Sequence, residues 1–182
     1  MKENKGITIV TLVITIIVLL ILAGVSIGTG NKVIKSSELE NVKTNMLLIK
    51  AKGKEYVENA NFKLGTNFEN ATDKETRIKT AKAELEKGEE ITKDNVSMFS
   101  QYINISEEQL TTDNLNYRYY YKLETPNLIE MGLSNVKSDE KSGWYIIKYD
   151  IKNVEVEVYN TAGFENEGSK YYSLTDIQNI NL

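Results

Sequence analysis

The sequence predicts an α+β fold, and three observations predict it. The first is an apolar run without a charge, Ile7 to Ile27. The second is a stripe of residues between Leu39 and Ala60, spaced alternately by three and four, as on a helix that buries one face. The third is a change to period two beyond Leu115, the mark of β-strands.

The run Ile7–Ile27 also lacks Asn, Gln and Pro, and Thr8, Thr11, Thr15 and Ser26 are its only hydroxyl residues. As a helix it would be ~30 Å long, about the thickness of a bilayer's hydrocarbon core. Lys2 and Lys5 precede it and are expected to stay cytoplasmic, which leaves the rest of the chain outside. A cleaved secretory signal is one reading, with Ser26-Ile27-Gly28 as a small-x-small site. Its apolar region is ordinarily shorter, ~7–15 residues. A plain signal anchor that holds a domain at the cell surface is the second reading.

The third reading rests on resemblance. Lys5-Gly6-Ile7-Thr8-Ile9-Val10-Thr11-Leu12-Val13 resembles the prepilin cleavage and methylation signal of type IV pilins and pseudopilins. The whole stretch from Lys5 to Ile27 is similar to pilin-like proteins common in clostridia. The resemblance implies a leader over residues 1–6, cleavage after Gly6 and amino-methylation of Ile7. It implies a transmembrane and filament-core helix over 7–27, and an extracytoplasmic head over 28–182. It further implies a long amino-terminal helix whose second half packs on a small antiparallel sheet. The partners it implies are a prepilin peptidase, other pilin subunits, a pilus assembly platform and the membrane. The family usually has Phe after the cut and Glu at the fifth mature position. Here those positions are Ile7 and Thr11. Thr8, Thr11 and Thr15, spaced by three and four, share one face of this assembly helix.

Composition narrows the chemistry. Cysteine is absent, so no disulfide staples the head and no acylated Cys anchors it. Histidine is absent, which excludes His-based nucleophilic catalysis and His metal ligands. The net charge is −4, and loss of residues 1–6 removes two lysines and one glutamate to leave −5. A mildly acidic chain without a basic cluster argues against nucleic acid as the main partner.

Beyond the apolar run, Gly28-Thr29-Gly30-Asn31 weakens a helix and reads either as a linker or as a place where the helix bends. Ser37-Glu38-Leu39-Glu40 has the spacing of a capping box. The helix it opens is expected over about 37–61, with Leu39, Val42, Met46, Ile49, Gly53, Tyr56 and Ala60 on its core face and Leu47 and Val57 widening it. Phe62–Ala71 reads as a loop. Thr72-Asp73-Lys74-Glu75 starts a second helix over about 72–87, mostly solvated, with Lys87-Gly88 as its stop. Asp94–Asp113 is ambiguous: Val96, Phe99, Tyr102 and Ile103 suggest a helical turn or two, and Glu107, Glu108 and Asp113 read as solvent-facing loop acids.

Strands are expected over about 115–123, 144–151 and 154–159. In the first, Leu115, Tyr117, Tyr119, Tyr121 and Leu123 alternate with polar residues, as in a half-buried strand, and Pro126 ends it. Leu128–Leu133 reads as a helical turn. The other two strands form a hairpin about Lys152-Asn153 that sets Tyr149 opposite Val156 and Ile147 opposite Val158. The same register puts Lys148 against Glu157 and Asp150 against Glu155. Tyr171–Leu174 reads as a short last strand.

Tyr117, Tyr119, Tyr120, Tyr121, Trp144, Tyr145, Tyr149 and Tyr159 concentrate in these strands. With few basic neighbours they read as strand tyrosines rather than a stacking platform for bases or sugars. Asp139-Glu140 and Glu165-Asn166-Glu167 are loop acids without a calcium-ligand spacing. No phosphate loop, dinucleotide fingerprint, zinc spacing or catalytic triad is present, and no enzyme or cofactor is expected. The reading is a structural filament subunit, of a type IV pilus or a type II secretion-like pseudopilus. The alternative is a monomeric, signal-anchored surface binding module.

Overall fold

A computed structural model describes residues 30–85 and 88–181. Residues 1–29 lie outside the described residues, as do Glu86, Lys87 and Leu182. The chain falls into two compact units, one ending at Glu38 and one spanning Leu39–Asn181. In the first, residues 30–38 are helical, and Val33 and Ile34 are exposed. The remaining description concerns the second.

Helix α1 spans Gly30–Leu64, so it starts well before Ser37. Ser37 and Glu40 are exposed residues of its interior, where backbone N–H groups already have helical partners and need no capping box. The helix ends at Gly65, whose φ of +77° suits a left-handed cap and whose N–H donates to the Asn61 carbonyl at 3.0 Å. Leu39, Met46, Ile49, Gly53, Val57, Ala60 and Leu64 are buried, and Val42 and Tyr56 pack partly against the same core. Leu47 does not widen this face. It lies 44% exposed, about 100° around the helix from Met46.

A 3-10 turn, Phe68–Asn70, interrupts the loop after α1. Helix α2 spans Lys74–Ala83, shorter than 72–87. Its capping box does not form: the Asp73 carboxylate receives the Arg77 side chain at 3.0 Å and leaves the helix N–H groups uncapped by side chain. A short strand, β1 (Glu89–Glu90), follows. Gly88 precedes it because a Cβ there would lie 2.0 Å from the Lys122 carbonyl oxygen.

Residues 94–115 hold two helices, α3 (Val96–Ile103) and α4 (Glu107–Leu115). Ser106 caps α4 by accepting from the Gln109 N–H, with Glu107 and Glu108 at its positive end. These local signals carry the helix through Leu115, which is 74% exposed and not in a strand. Strand β2 begins only at Arg118 and ends at Leu123, after a turn in which Tyr117 has φ +61°. Helix α5 (Thr125–Glu130) starts earlier than Leu128, with Pro126 in its first turn and a reciprocal Glu124–Asn127 capping box.

Strands β3 (Tyr145–Asp150), β4 (Glu155–Asn166) and β5 (Ser169–Ser173) complete an antiparallel sheet of order β1-β2-β3-β4-β5. The β3–β4 register pairs Tyr149 with Val156, Ile147 with Val158, Lys148 with Glu157 and Asp150 with Glu155, as the hydrophobic pattern requires. The turn occupies Ile151–Val154, and its left-handed residue is Val154 (φ +55°), not Asn153. Asn153 instead donates its N–H and its side-chain amide to Asp150 at 2.9 Å. Strand β4 runs seven residues past Tyr159, and an irregularity between Tyr159 and Phe164 shifts its register with β5. Helix α6 (Leu174–Gln178) closes the chain, capped by Ser173.

The fold is therefore α+β, a long helix on a five-stranded antiparallel sheet. Met46, Ile49 and Val57 of α1 share a core with Tyr121, Ile147, Tyr149, Val156 and Val158. Gly53 lets α1 approach the sheet: a Cβ there would lie 2.6 Å from Ile147 Cδ1. Strands β2 and β3 are buried on both faces rather than half-buried. Ile91, Val96, Phe99, Ile103, Ile105 and Leu110 form a second core with Tyr120 and Ile146 on the opposite face. No helix among the described residues is long and apolar enough to cross a membrane.

Candidate functional site

The residues that carry the processing and assembly expectations, Gly6, Ile7, Thr8, Thr11 and Thr15, lie outside the described residues. Within the described part, charge gathers at the end of β2 and β3. Asp113 of α4 is buried, not a solvent-facing acid, because α4 folds back over the sheet. Its carboxylate accepts from the Tyr120 hydroxyl at 2.5 Å and from Arg118 at 3.3 Å, and it faces Lys148 Nζ at 3.6 Å. Arg118 Nε also reaches Asp150 at 2.7 Å. Burial would raise the Asp150 carboxyl, but Arg118 and the two Asn153 donors outweigh it and hold the group below the usual aspartate range. Burial, then the bond to Asp113, pushes the Tyr120 hydroxyl well above its ordinary value.

A recess of about 660 Å³ lies beside this network, bordered by Lys50, Lys54, Arg118, Lys148, Glu155 and Glu157. Its charges largely answer one another. Arg118 is bound to two aspartates, and Lys54 Nζ donates to the Val154 carbonyl at 2.5 Å. Buried ions left unpaired would be costly, so the network holds α4, β2 and β3 in register.

The strand tyrosines are mostly core. Tyr117, Tyr119, Tyr120, Tyr121, Tyr145 and Tyr149 are buried, so their rings offer no open stacking face. Burial, then Tyr117 and Glu90, pushes the Tyr119 hydroxyl up to about 12. Trp144 lies beneath Lys122 Nζ at 4.5 Å, and Tyr159 is half-buried.

The loop acids have local roles. Asp139 Oδ1 accepts from the N–H groups of Lys141 and Ser142 and from the Ser142 hydroxyl. The Ser142 bonds hold its carboxyl below the usual range. Glu165 pairs with Lys170 across the β4–β5 hairpin, and Glu167-Gly168, both with positive φ, makes its tight turn. Among the described residues no three acidic, His or Cys side chains are grouped to hold a metal ion.

One recess was not foreseen from the sequence. Tyr102 and Tyr172, from α3 and β5, meet there beside Tyr159. Tyr102 was legible only as a helical residue and Tyr172 only as a strand residue. Nothing in their spacing brings them together. No family model, curated protein or solved structure matches this chain.

Proposed function

We propose that the chain is a structural subunit of a type IV pilus or pseudopilus-like filament, processed by a prepilin peptidase and assembled through residues 7–27. The observation that carries the reading is the Lys5-Gly6 junction set directly against 21 uncharged residues, Ile7–Ile27. A long helix on a small antiparallel sheet supports it. In this mechanism the membrane holds the apolar segment before assembly. The filament core then buries it against the same segment of neighbouring subunits. Both environments satisfy the backbone within the helix and keep apolar surface from water. The head remains extracytoplasmic, first beside a single membrane pass and then along the filament.

Intact-mass analysis of the membrane-extracted protein tests the reading. It predicts a mature chain that begins at Ile7, carrying one methyl group on its amine. A chain beginning at Met1, or cut after Gly28, contradicts it. The second reading, a signal-anchored monomeric binding module, is favoured by one feature, the aromatic recess at Tyr102 and Tyr172.

A further inference from the structure

The tyrosine-lined recess is shaped by the irregularity in β4. Tyr102 of α3 and Tyr172 of β5 meet edge-to-face, with ring centroids 5.3 Å apart and planes at 80°. The Tyr172 ring lies on Gly163, where a Cβ would come within 2.8 Å of it. Gly163 has φ +62°, and its N–H donates to Asn160 Oδ1 at 3.1 Å, which holds the strand in its irregular course. Such irregularities re-aim side chains, and here the result is an aromatic wall rather than a flat strand. Tyr159 lines the same recess. All three tyrosines are half-buried, and none of their hydroxyls is hydrogen-bonded within the described residues. Gln101, Lys170 and Asp176 also line it, with Lys170 Nζ 5.9 Å from the Tyr172 ring centroid and the Asp176 carboxylate accepting from the Ser173 hydroxyl at 2.7 Å.

We propose that this cleft binds a neutral saccharide. Tyrosine faces carry negative quadrupolar charge, and the C–H hydrogens of a sugar ring, polarised by adjoining oxygens, are attracted to them. The sugar's hydroxyls need donors and acceptors around that face. Three phenols, one amide, one ammonium and one carboxylate supply both kinds. Lys170 and Asp176 cancel in charge, so the rim selects neither an anion nor a cation. A single strand of nucleic acid would need a basic groove beside its stacking rings, and Lys170 alone does not make one. The cleft is an open one of about 310 Å³, the low end of the range for small-ligand sites. That suits a sugar ring or two better than the extended stretch of a proline-rich peptide, which also docks on aromatic grooves. The proposal does not depend on filament assembly.

The test uses the full chain in a detergent without a sugar headgroup. Saturation-transfer NMR is run with glucose, galactose and N-acetylglucosamine as probes. At least one sugar is expected to receive saturation at its ring hydrogens. Tyr172→Ala should weaken binding ~5- to 160-fold, the range for loss of one stacked aromatic. Gln101→Ala, at an exposed helix position, should weaken it several-fold with an unchanged melting temperature. Tyr172→Phe should retain most of it. No transfer to any of the three sugars overturns the proposal. So does transfer that Tyr172→Ala and Gln101→Ala both leave unchanged, or a cleft that takes a proline-rich peptide and no sugar.

Discussion

Gly53 allows the packing of α1 on the sheet to be tested by adding one carbon. In a helix interior Ala is favoured over Gly by ~0.8–1.0 kcal/mol, so propensity alone predicts that Gly53→Ala stabilises. The structure predicts the opposite sign. The new Cβ would lie 2.6 Å from Ile147 Cδ1 and 3.1 Å from Val156 Cγ1, inside a closed core. Overpacking of this kind costs ~1–3 kcal/mol, which leaves a net loss of ~0–2 kcal/mol. Ile147→Val removes the methyl that meets the new Cβ and by itself costs ~0.5–1.5 kcal/mol. The double variant should therefore lose less than the sum of the two, with a coupling of ~0.5–3 kcal/mol. Urea midpoints of a fragment from Ser37 to Leu182, for wild type, both single variants and the double, supply the cycle. If Gly53→Ala raises stability by the full propensity gain and the two changes add, α1 does not lie on Ile147 and the packing described above is wrong.

Other predictions follow the same physics. Residues from Leu39 form one compact unit, so that fragment should fold alone, and Ile49→Ala should cost it ~2–5 kcal/mol because Ile49 is fully buried. An unchanged denaturation midpoint would place Ile49 outside the core. Asp150→Asn should cost ~1–3 kcal/mol at neutral pH by removing the shorter of the two aspartate bonds of Arg118 and leaving it only the one to Asp113 at 3.3 Å. Because the Asp150 carboxyl is held below its unfolded value of ~3.9, its contribution is present above that pH and disappears as pH falls through the lower folded value. Denaturation at neutral and strongly acid pH should show the gap closing; a gap that persists in acid would count against the pair. Thr11→Glu, which restores the carboxylate usual in the resembling family, should leave cleavage intact and preserve or increase recovery in sheared surface fractions. Normal processing with no recovery would show that Thr11 has a packing role of its own.

The parts of the fold that were legible are those where one physical signal ran unopposed. The three-and-four spacing from Leu39 to Ala60 marks the buried face of α1, and the alternation of Ile147, Tyr149, Val156 and Val158 fixes the hairpin register. The start of α1 was not legible, since Ser37-Glu40 mimics a cap inside a helix that is already running. Leu115 and Tyr117 fit a strand's alternation, yet the cap at Ser106 carries a helix through Leu115 and leaves Tyr117 in the turn that follows. A single alternating strand says that one face is apolar and nothing about the other. The second core was hidden in Asp94–Asp113, where two short helices each show too few turns to give a period. Asp113 reads as an exposed acid because its partners, Tyr120, Arg118 and Lys148, are assembled only by the sheet. The tyrosine cleft depends on an irregularity in β4 that shifts its register with β5 beside Tyr172, and sequence period cannot show such an event.

The chain has no cysteine, so cross-linking at introduced thiols reports subunit contacts without background. Thr8 and Thr15, seven residues apart, fall on one face of the expected assembly helix. Subunits packed head-to-tail through that helix would juxtapose different positions of successive copies and extend without closing. Chains carrying Thr8→Cys and Thr15→Cys together, oxidised in the sheared surface fraction and separated without reductant, should give a ladder that extends beyond dimers and collapses on reduction. Protein that stays with the membrane and runs only as monomer would contradict the filament account and leave the anchored monomer in its place.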